Sequence, residues 1–303
     1  MEQLPHKKKI LITGAGGFLG WNLCRVARDR YDVVGIFHVN PLVLDGVGIE
    51  RCNITRFDEL RELLFRTRPD AVVHAAAIAG PDYCQEHPEQ SAAVNVDASV
   101  SIAGLCNDLE VPCAFISTDL VFDGAGARYN EACPVSPISV YGEQKARAET
   151  LMRARHHDLR ICRMPLMFGD AKAPAQSFIQ PLIRSFSEGA EPALFIDEYR
   201  TPASALSAAQ GILCALENGP GIYHLGGRER ISRYDFGVKL ALALRLTGAR
   251  IKRVFQKDVA SKAPRPHDVS LDSAKAFSLG YHPGTIEEEL RKLSCVLTTY
   301  RGC

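Results

Sequence analysis

The sequence carries no excess of either charge. Across 303 residues, 36 Lys plus Arg face 35 Asp plus Glu, a formal net charge of +1. Neither nucleic acid nor an anionic membrane surface therefore has an electrostatic claim on it. No apolar run approaches the ~18 residues of a membrane-spanning helix. No uninterrupted apolar segment precedes the first strand pattern, so a soluble, cytoplasmic protein is expected. C-x-x-C pairs are missing as well. Ten cysteines scattered from Cys24 to Cys303 fit neither a zinc site nor a disulfide scaffold, and the expectation is reduced thiols and no metal. Internal repeats and low-complexity segments are absent.

What is present is a rhythm in a chain that is 46% hydrophobic, enough for one large or two modest cores. Short β-branched apolar runs at residues 9–13, 33–37, 71–75, 113–117 and 159–163 read as strands. They alternate with helical patterns at 18–28, 57–67, 91–109 and 140–156. That alternation predicts an α/β fold, a Rossmann-type doubly wound parallel sheet. After Met164 prolines and glycines cluster and the rhythm changes. Helices are expected at 177–188, 203–217, 232–246, 272–279 and 285–299, with strands at 193–196 and 222–225, as a smaller mixed α/β substrate domain. The expected division assigns 1–163 and roughly 197–220 to a cofactor domain, and 164–196 and 221–303 to a substrate domain. Glu287-Glu288-Glu289 reads as an acidic helix start favoured by the helix dipole rather than as a cation site.

Directly after the first strand, Gly14, Gly17 and Gly20 space a turn that leads into a helix. Such a turn lets the backbone approach a pyrophosphate, and the helix N-terminus offers free N–H groups to it. Past the second strand come Phe37-His38-Val39-Asn40, with no acid until Asp45. An acid there binds the ribose 2′-hydroxyl of NAD and repels a 2′-phosphate. Its absence, with His38 able to accept the phosphate, favours NADP(H) over NAD(H).

Tyr141 and Lys145 lie four residues apart, so a helix puts them on one face. A phenol near pKa ~10 is a weak acid at neutrality, and a neighbouring ammonium makes it a better proton donor. Ser117-Thr118-Asp119 lies at the end of the strand at 113–117, the edge where ligands of such sheets bind. A hydroxyl to orient a carbonyl oxygen, a phenol to protonate it and a cation beside the phenol together suit carbonyl reduction by a nicotinamide.

Taken together, these residues resemble the extended short-chain dehydrogenase/reductase family. Ser117-Thr118-Asp119-Leu120-Val121-Phe122-Asp123-Gly124 and the Arg265-Pro266-His267-Asp268 segment are similar to the dTDP-4-dehydrorhamnose reductase-like, sugar-nucleotide-binding subgroup. The resemblance implies reduction of a 4-keto sugar carried on a nucleoside diphosphate, with Thr118, Tyr141 and Lys145 as catalytic residues. It implies cofactor contacts at Thr13, Gly14, Gly17, Phe18, Leu19, Asn53, Ile54, Ala75, Ala76, Ala77, Lys145 and Pro165. Asp119 and the 82–84 loop, with Asp82 and Tyr83, would face the sugar, and Arg200 and Arg265 would clamp the diphosphate. Leu120 stands where related dehydratases need a second acid, which disfavours dehydration. The segment from Arg163 to Gly169 lacks the tryptophan usual in rhamnose-forming reductases. A nucleotide-sugar epimerase and a non-catalytic regulatory subunit, as in methionine adenosyltransferases, are the alternatives; a homodimer is left open.

Overall fold

The computed structural model describes residues 7–300 except Leu42 and Ala173, and side chains as far as Ser294. Its centre is a seven-stranded parallel sheet. Four strands, β1 (Lys9–Thr13), β2 (Asp32–Phe37), β3 (Val47–Arg51) and β4 (Ala71–His74), alternate with helices α1 (Phe18–Ala27) and α2 (Phe57–Thr67). Then come α3 (Pro81–Glu86), α4 (Pro88–Ala92) and α5 (Ala98–Asp108), followed by β5 (Cys113–Thr118), α6 (Val140–Arg155) and β6 (Leu159–Met164). The spatial order runs β3, β2, β1, β4, β5, β6, and then a seventh strand from later in the chain. This is the doubly wound order, and the strand sequence reverses between β1 and β4.

Helices cover both faces because the strands are apolar on both. One core packs Ile10, Ile12, Val73 and Ile116 beneath Leu19, Leu23 and Ile212; the opposite core packs Leu11, Val72 and Phe115 beneath Leu60, Leu64, Ile102 and Met152. In α2 the buried Leu60, Leu63 and Leu64 make the helical stripe, and Asp58 and Glu59 occupy the first turn, where the dipole favours acids.

The remainder is β7 (Met167–Phe168), α7 (Ile179–Ser187), β8 (Ala193–Phe195), β9 (Tyr199–Arg200), β10 (Ala203–Ser204), α8 (Ala205–Glu217) and β11 (Gly221–His224). After these follow β12 (Ile231–Ser232), α9 (Arg233–Ala243), β13 (Lys252–Val254), α10 (Ala274–Ser278) and α11 (Ile286–Tyr300). Three two-stranded pairs, β7 with β10, β9 with β12 and β8 with β13, build the smaller half. Its core joins Phe168, Ile179, Phe236, Leu240 and Leu290.

Three differences from the expectation bear on the large sheet and its helices. Strand β3 was not anticipated: Val-Gly-Ile-Glu-Arg is a short, half-exposed edge strand whose glycine and charges hide its period. Strand β11, placed by the sequence division in the substrate half, pairs in parallel with β6 and is the seventh strand of the large sheet. The helix expected over 91–109 is interrupted by a π-helical turn at Ala93–Asp97, a feature that often marks functional positions. The acidic start of α11 is a reciprocal cap: Thr285 N–H donates to Glu288 Oε2, and Glu288 N–H donates to Thr285 Oγ1. The eight cysteines with described side chains are free thiols; Cys295 and Cys303 lie outside the described side chains.

Candidate active site

At the strand-order reversal a cleft of about 710 Å³ opens, lined by Gly14, Gly17, His38, Asn53, Ile54 and the alanines Ala75, Ala76 and Ala77. Its size suits a dinucleotide. Gly14 turns the chain at φ +74°, and a Cβ there would stand 2.7 Å from the Ala76 backbone, so only glycine fits. Thr13 lies beneath this floor rather than in it. Its Oγ1 accepts the Ala76 N–H at 3.1 Å and shares a 2.8 Å hydrogen bond with His74 Nδ1. Burial, then the Lys145 charge, pulls the His74 imidazole down to about 3, so it is a neutral bridge between Thr13 and Ser99.

His38 is exposed at the rim, and Arg51, at the end of β3, donates its Nε–H to the His38 carbonyl at 3.3 Å. Sequence reasoning missed Arg51 because β3 itself was missed. Asn53 Oδ1 accepts from Thr55 N–H and Oγ1, an Asx turn that shapes one wall of the cleft. Leu19, in the first turn of α1, is buried in the core. Phe18 opens α1, and Pro165 is buried just past β6.

The candidate catalytic residues converge from two elements. Thr118 ends β5; its hydroxyl donates to Asp119 Oδ1 and accepts the Leu120 N–H, both at 3.2 Å. Helix α6 is capped by Ser139, whose Oγ accepts the Gly142 N–H at 3.2 Å. A Cβ on Gly142 would fall 2.2 Å from the Leu120 carbonyl, so glycine lets the helix lie against the chain that follows Thr118. Tyr141 and Lys145 are buried on that face. The Lys145 ammonium sits 3.9 Å from the Phe115 ring centroid.

The electrostatics depart from the expectation that Lys145 lowers the Tyr141 pKa. Burial, with the neighbouring Cys84 and Asp119, pushes the Tyr141 phenol well above its ordinary value. Burial draws Lys145 down to about 7, with Glu149 opposing. Desolvation is the largest influence on both groups, and Tyr141 is protonated throughout the neutral range.

One turn beyond Lys145, Glu149 takes both Arg163 Nε (3.0 Å) and Nη2 (2.7 Å), and also accepts the Ser117 hydroxyl at 2.5 Å. Arg163 Nη1 lies 3.3 Å from His224 Nε2, while His224 Nδ1–H donates to the Tyr129 carbonyl at 2.9 Å. Burial and Arg163 hold His224 near 4, a neutral acceptor for the guanidinium. This clamp joins α6, β5, β6 and β11, and no sequence spacing signalled it. On the other side, Asn95 in the π turn bonds Ile78 and Gln144.

The residues assigned to the substrate are brought together only in part. Asp119 is buried, and burial, only partly offset by Arg200, pushes its carboxyl up to about 6. Arg200, assigned to the diphosphate, is instead buried between carboxylates: its Nε is 3.5 Å from Asp119 Oδ2 and its Nη2 is 3.4 Å from Glu198 Oε1. Arg265 is half-exposed and pairs with Asp82 at 3.7 Å. Asp82 Oδ1 accepts the Ala263 N–H at 3.0 Å, tying α3 to the 261–265 segment. Tyr83 is exposed; its hydroxyl donates to Gln90 at 2.8 Å and its ring packs on His87. Cys84 is the residue of that helix that faces inward, against Asn95.

Residues 8–297 match the family described as the RmlD substrate binding domain. The chain belongs to that family. It is 30% identical over 295 residues to a probable low-salt glycan biosynthesis reductase of Haloferax volcanii, covering 95% of this chain and 98% of the relative. It is 26% identical to the methionine adenosyltransferase 2 subunit beta of Danio rerio, over 90% of this chain and 85% of that one. Among solved structures, a hypothetical dTDP-4-dehydrorhamnose reductase from Sulfolobus tokodaii superposes with a TM-score of 0.81 at 30% identity, over 92% and 98% of the two chains. The protein is an oxidoreductase of the extended short-chain dehydrogenase/reductase type. No helix among the described residues is long and apolar enough to cross a membrane.

Proposed function

We propose that the protein reduces a 4-keto group on a nucleoside-diphosphate sugar with NADPH, in the cytoplasm. The observation that carries this reading is the convergence of Thr118, Tyr141 and Lys145 at the carboxyl edge of the sheet, next to the Gly14 cleft. A bound nicotinamide would supply the hydride to the sugar carbonyl. Thr118 orients the carbonyl oxygen, and Tyr141, protonated at neutral pH, donates its proton to that oxygen. Lys145, one turn away, offsets the negative charge left on the phenol, an interaction strengthened by the dry surroundings. The lack of an acid after β2, with His38 and Arg51 together at the rim, supports NADPH, because an imidazole and a guanidinium suit a 2′-phosphate. Residues of the smaller half supply the substrate contacts.

The test is steady-state turnover of a panel of 4-keto nucleoside-diphosphate sugars with each nicotinamide. NADPH oxidation with a lower Michaelis constant than NADH is expected, and Tyr141→Phe should cut kcat at least ~100-fold with cofactor binding intact. A strong NADH preference would reject the NADP assignment, and near-wild-type activity of the variant would reject the proton donor.

A second reading, a regulatory nucleotide-binding subunit, draws support from the 26% identity to the methionine adenosyltransferase 2 beta subunit. Stoichiometric copurification with another protein, together with no turnover across the panel, would favour it. An epimerase would retain its cofactor through the cycle rather than exchange it.

A further inference from the structure

Seven buried side-chain polar atoms among the described residues have no hydrogen-bond partner, and three of them, Asp119 Oδ2, Glu198 Oε2 and Arg233 Nη1, belong to one connected group. Asp119 and Glu198 are 3% and 4% exposed. Arg200 stands between them, Arg233 Nε is 3.9 Å from Glu198 Oε1, and Arg265 Nη1 is 4.0 Å from Glu198 Oε2. The group adjoins the catalytic set, since Thr118 donates directly to Asp119.

Two carboxylates thus face three guanidinium groups, yet their hydrogen-bonding capacity is left unfilled. At 3.4 to 4.0 Å these contacts satisfy Coulomb attraction but not hydrogen-bond geometry. Buried polar atoms left so are costly unless a ligand or water completes them. The chemistry of the three atoms selects the ligand. A metal cation is repelled by three guanidinium groups. A phosphate oxygen only accepts, so it cannot bond the two carboxylate oxygens, which also only accept. A sugar hydroxyl both donates and accepts: it can donate to Asp119 or Glu198 while accepting from Arg233.

We propose that Glu198 and Arg233, with Asp119, form a binding site for the hydroxyl groups of the substrate's sugar ring, and not for its diphosphate. This rests on the nucleotide-sugar reading above and narrows it, adding Glu198 and Arg233 and moving Arg200 from a phosphate clamp to the support of two carboxylates. The site is assembled by pairing at a distance. In the antiparallel β9–β12 ladder Ile231 faces Arg200 and Ser232 faces Tyr199, and the Arg233 N–H donates to the Glu198 carbonyl at 3.0 Å.

The test is calorimetric binding of dTDP against dTDP-glucose, and of UDP against UDP-glucose, to the NADPH-saturated protein. None of these has a ketone to reduce, so equilibrium affinities are read directly. In the wild type the glucosyl group should tighten binding for at least one base. Glu198→Gln should weaken the sugar-bearing nucleotide about tenfold and leave the free diphosphate within twofold. Arg233→Lys, which keeps the charge and removes the forked Nη1 donor, should do the same. Unchanged NADPH affinity confirms that each variant is folded. Equal weakening of both ligands would make the group a diphosphate site and overturn the proposal. No weakening of either, or no wild-type gain from the sugar, would make it a water-filled structural cluster and overturn it too. A wild type that gains from the sugar, loses that gain in both variants, yet reduces no 4-keto nucleotide sugar would uphold the hydroxyl site and reject the reductase reading alone.

Discussion

Asp119 illustrates how a single residue couples the site to pH. Its carboxyl is pushed from 3.8 to about 6, by burial first and with Arg200 opposing. Between those values the folded protein binds a proton that the unfolded chain does not, so this group's contribution to stability falls as pH rises from about 4 to 6. Two pKa units correspond to about 3 kcal/mol. Asp119→Asn removes the titration. Urea unfolding at pH 4 and pH 7 should therefore show wild type losing several kcal/mol relative to the variant across that interval. Parallel stability profiles would mean that Asp119 is solvated in the native state. Tyr141 and Lys145 teach a related lesson. Their spacing marked them, but spacing does not reveal how dry the surroundings are, and dryness rather than proximity sets both protonation states.

At the level of elements, α6 carries the candidate chemistry and the Glu149–Arg163 clamp holds it to β6. Removing one partner of a buried ion pair costs about 3–5 kcal/mol. Glu149→Ala should lose that much in denaturant unfolding and lower kcat as well; a loss below 1 kcal/mol would mean the clamp is dispensable. Elements built from local patterns were legible in the sequence. Strand β1 and helix α2 match their expected limits, because one is a continuous apolar run and the other a clean helical stripe. Likewise the glycine turn and the Tyr141–Lys145 pair needed only neighbours a few residues apart. What stayed hidden depends on distance in sequence. Glu198 and Arg233 meet only because β9 pairs with β12, and Glu149 meets Arg163 only because α6 packs on β6. Strand β3 was hidden for a different reason, since an exposed edge strand needs little apolar patterning.

For the whole molecule, the path of the chain matters more than any one contact. It leaves the large sheet after β6, builds β7 to β10 of the smaller half, returns as α8 and β11, and leaves again for β12 and α9. A fragment ending at residue 163 would therefore lose both α8 from one sheet face and β11 from the sheet edge, baring Ile116 and Cys162. Such a fragment should show no cooperative thermal transition and should aggregate; a sharp, reversible melt would contradict this. The same path limits how the two halves move. A lobe joined to its base by one linker is free to swing, but this one is moored by every passage of the backbone, so a displacement at one mooring must be matched at the others. The two halves are accordingly expected to shift together at all of these joints rather than to swing about one.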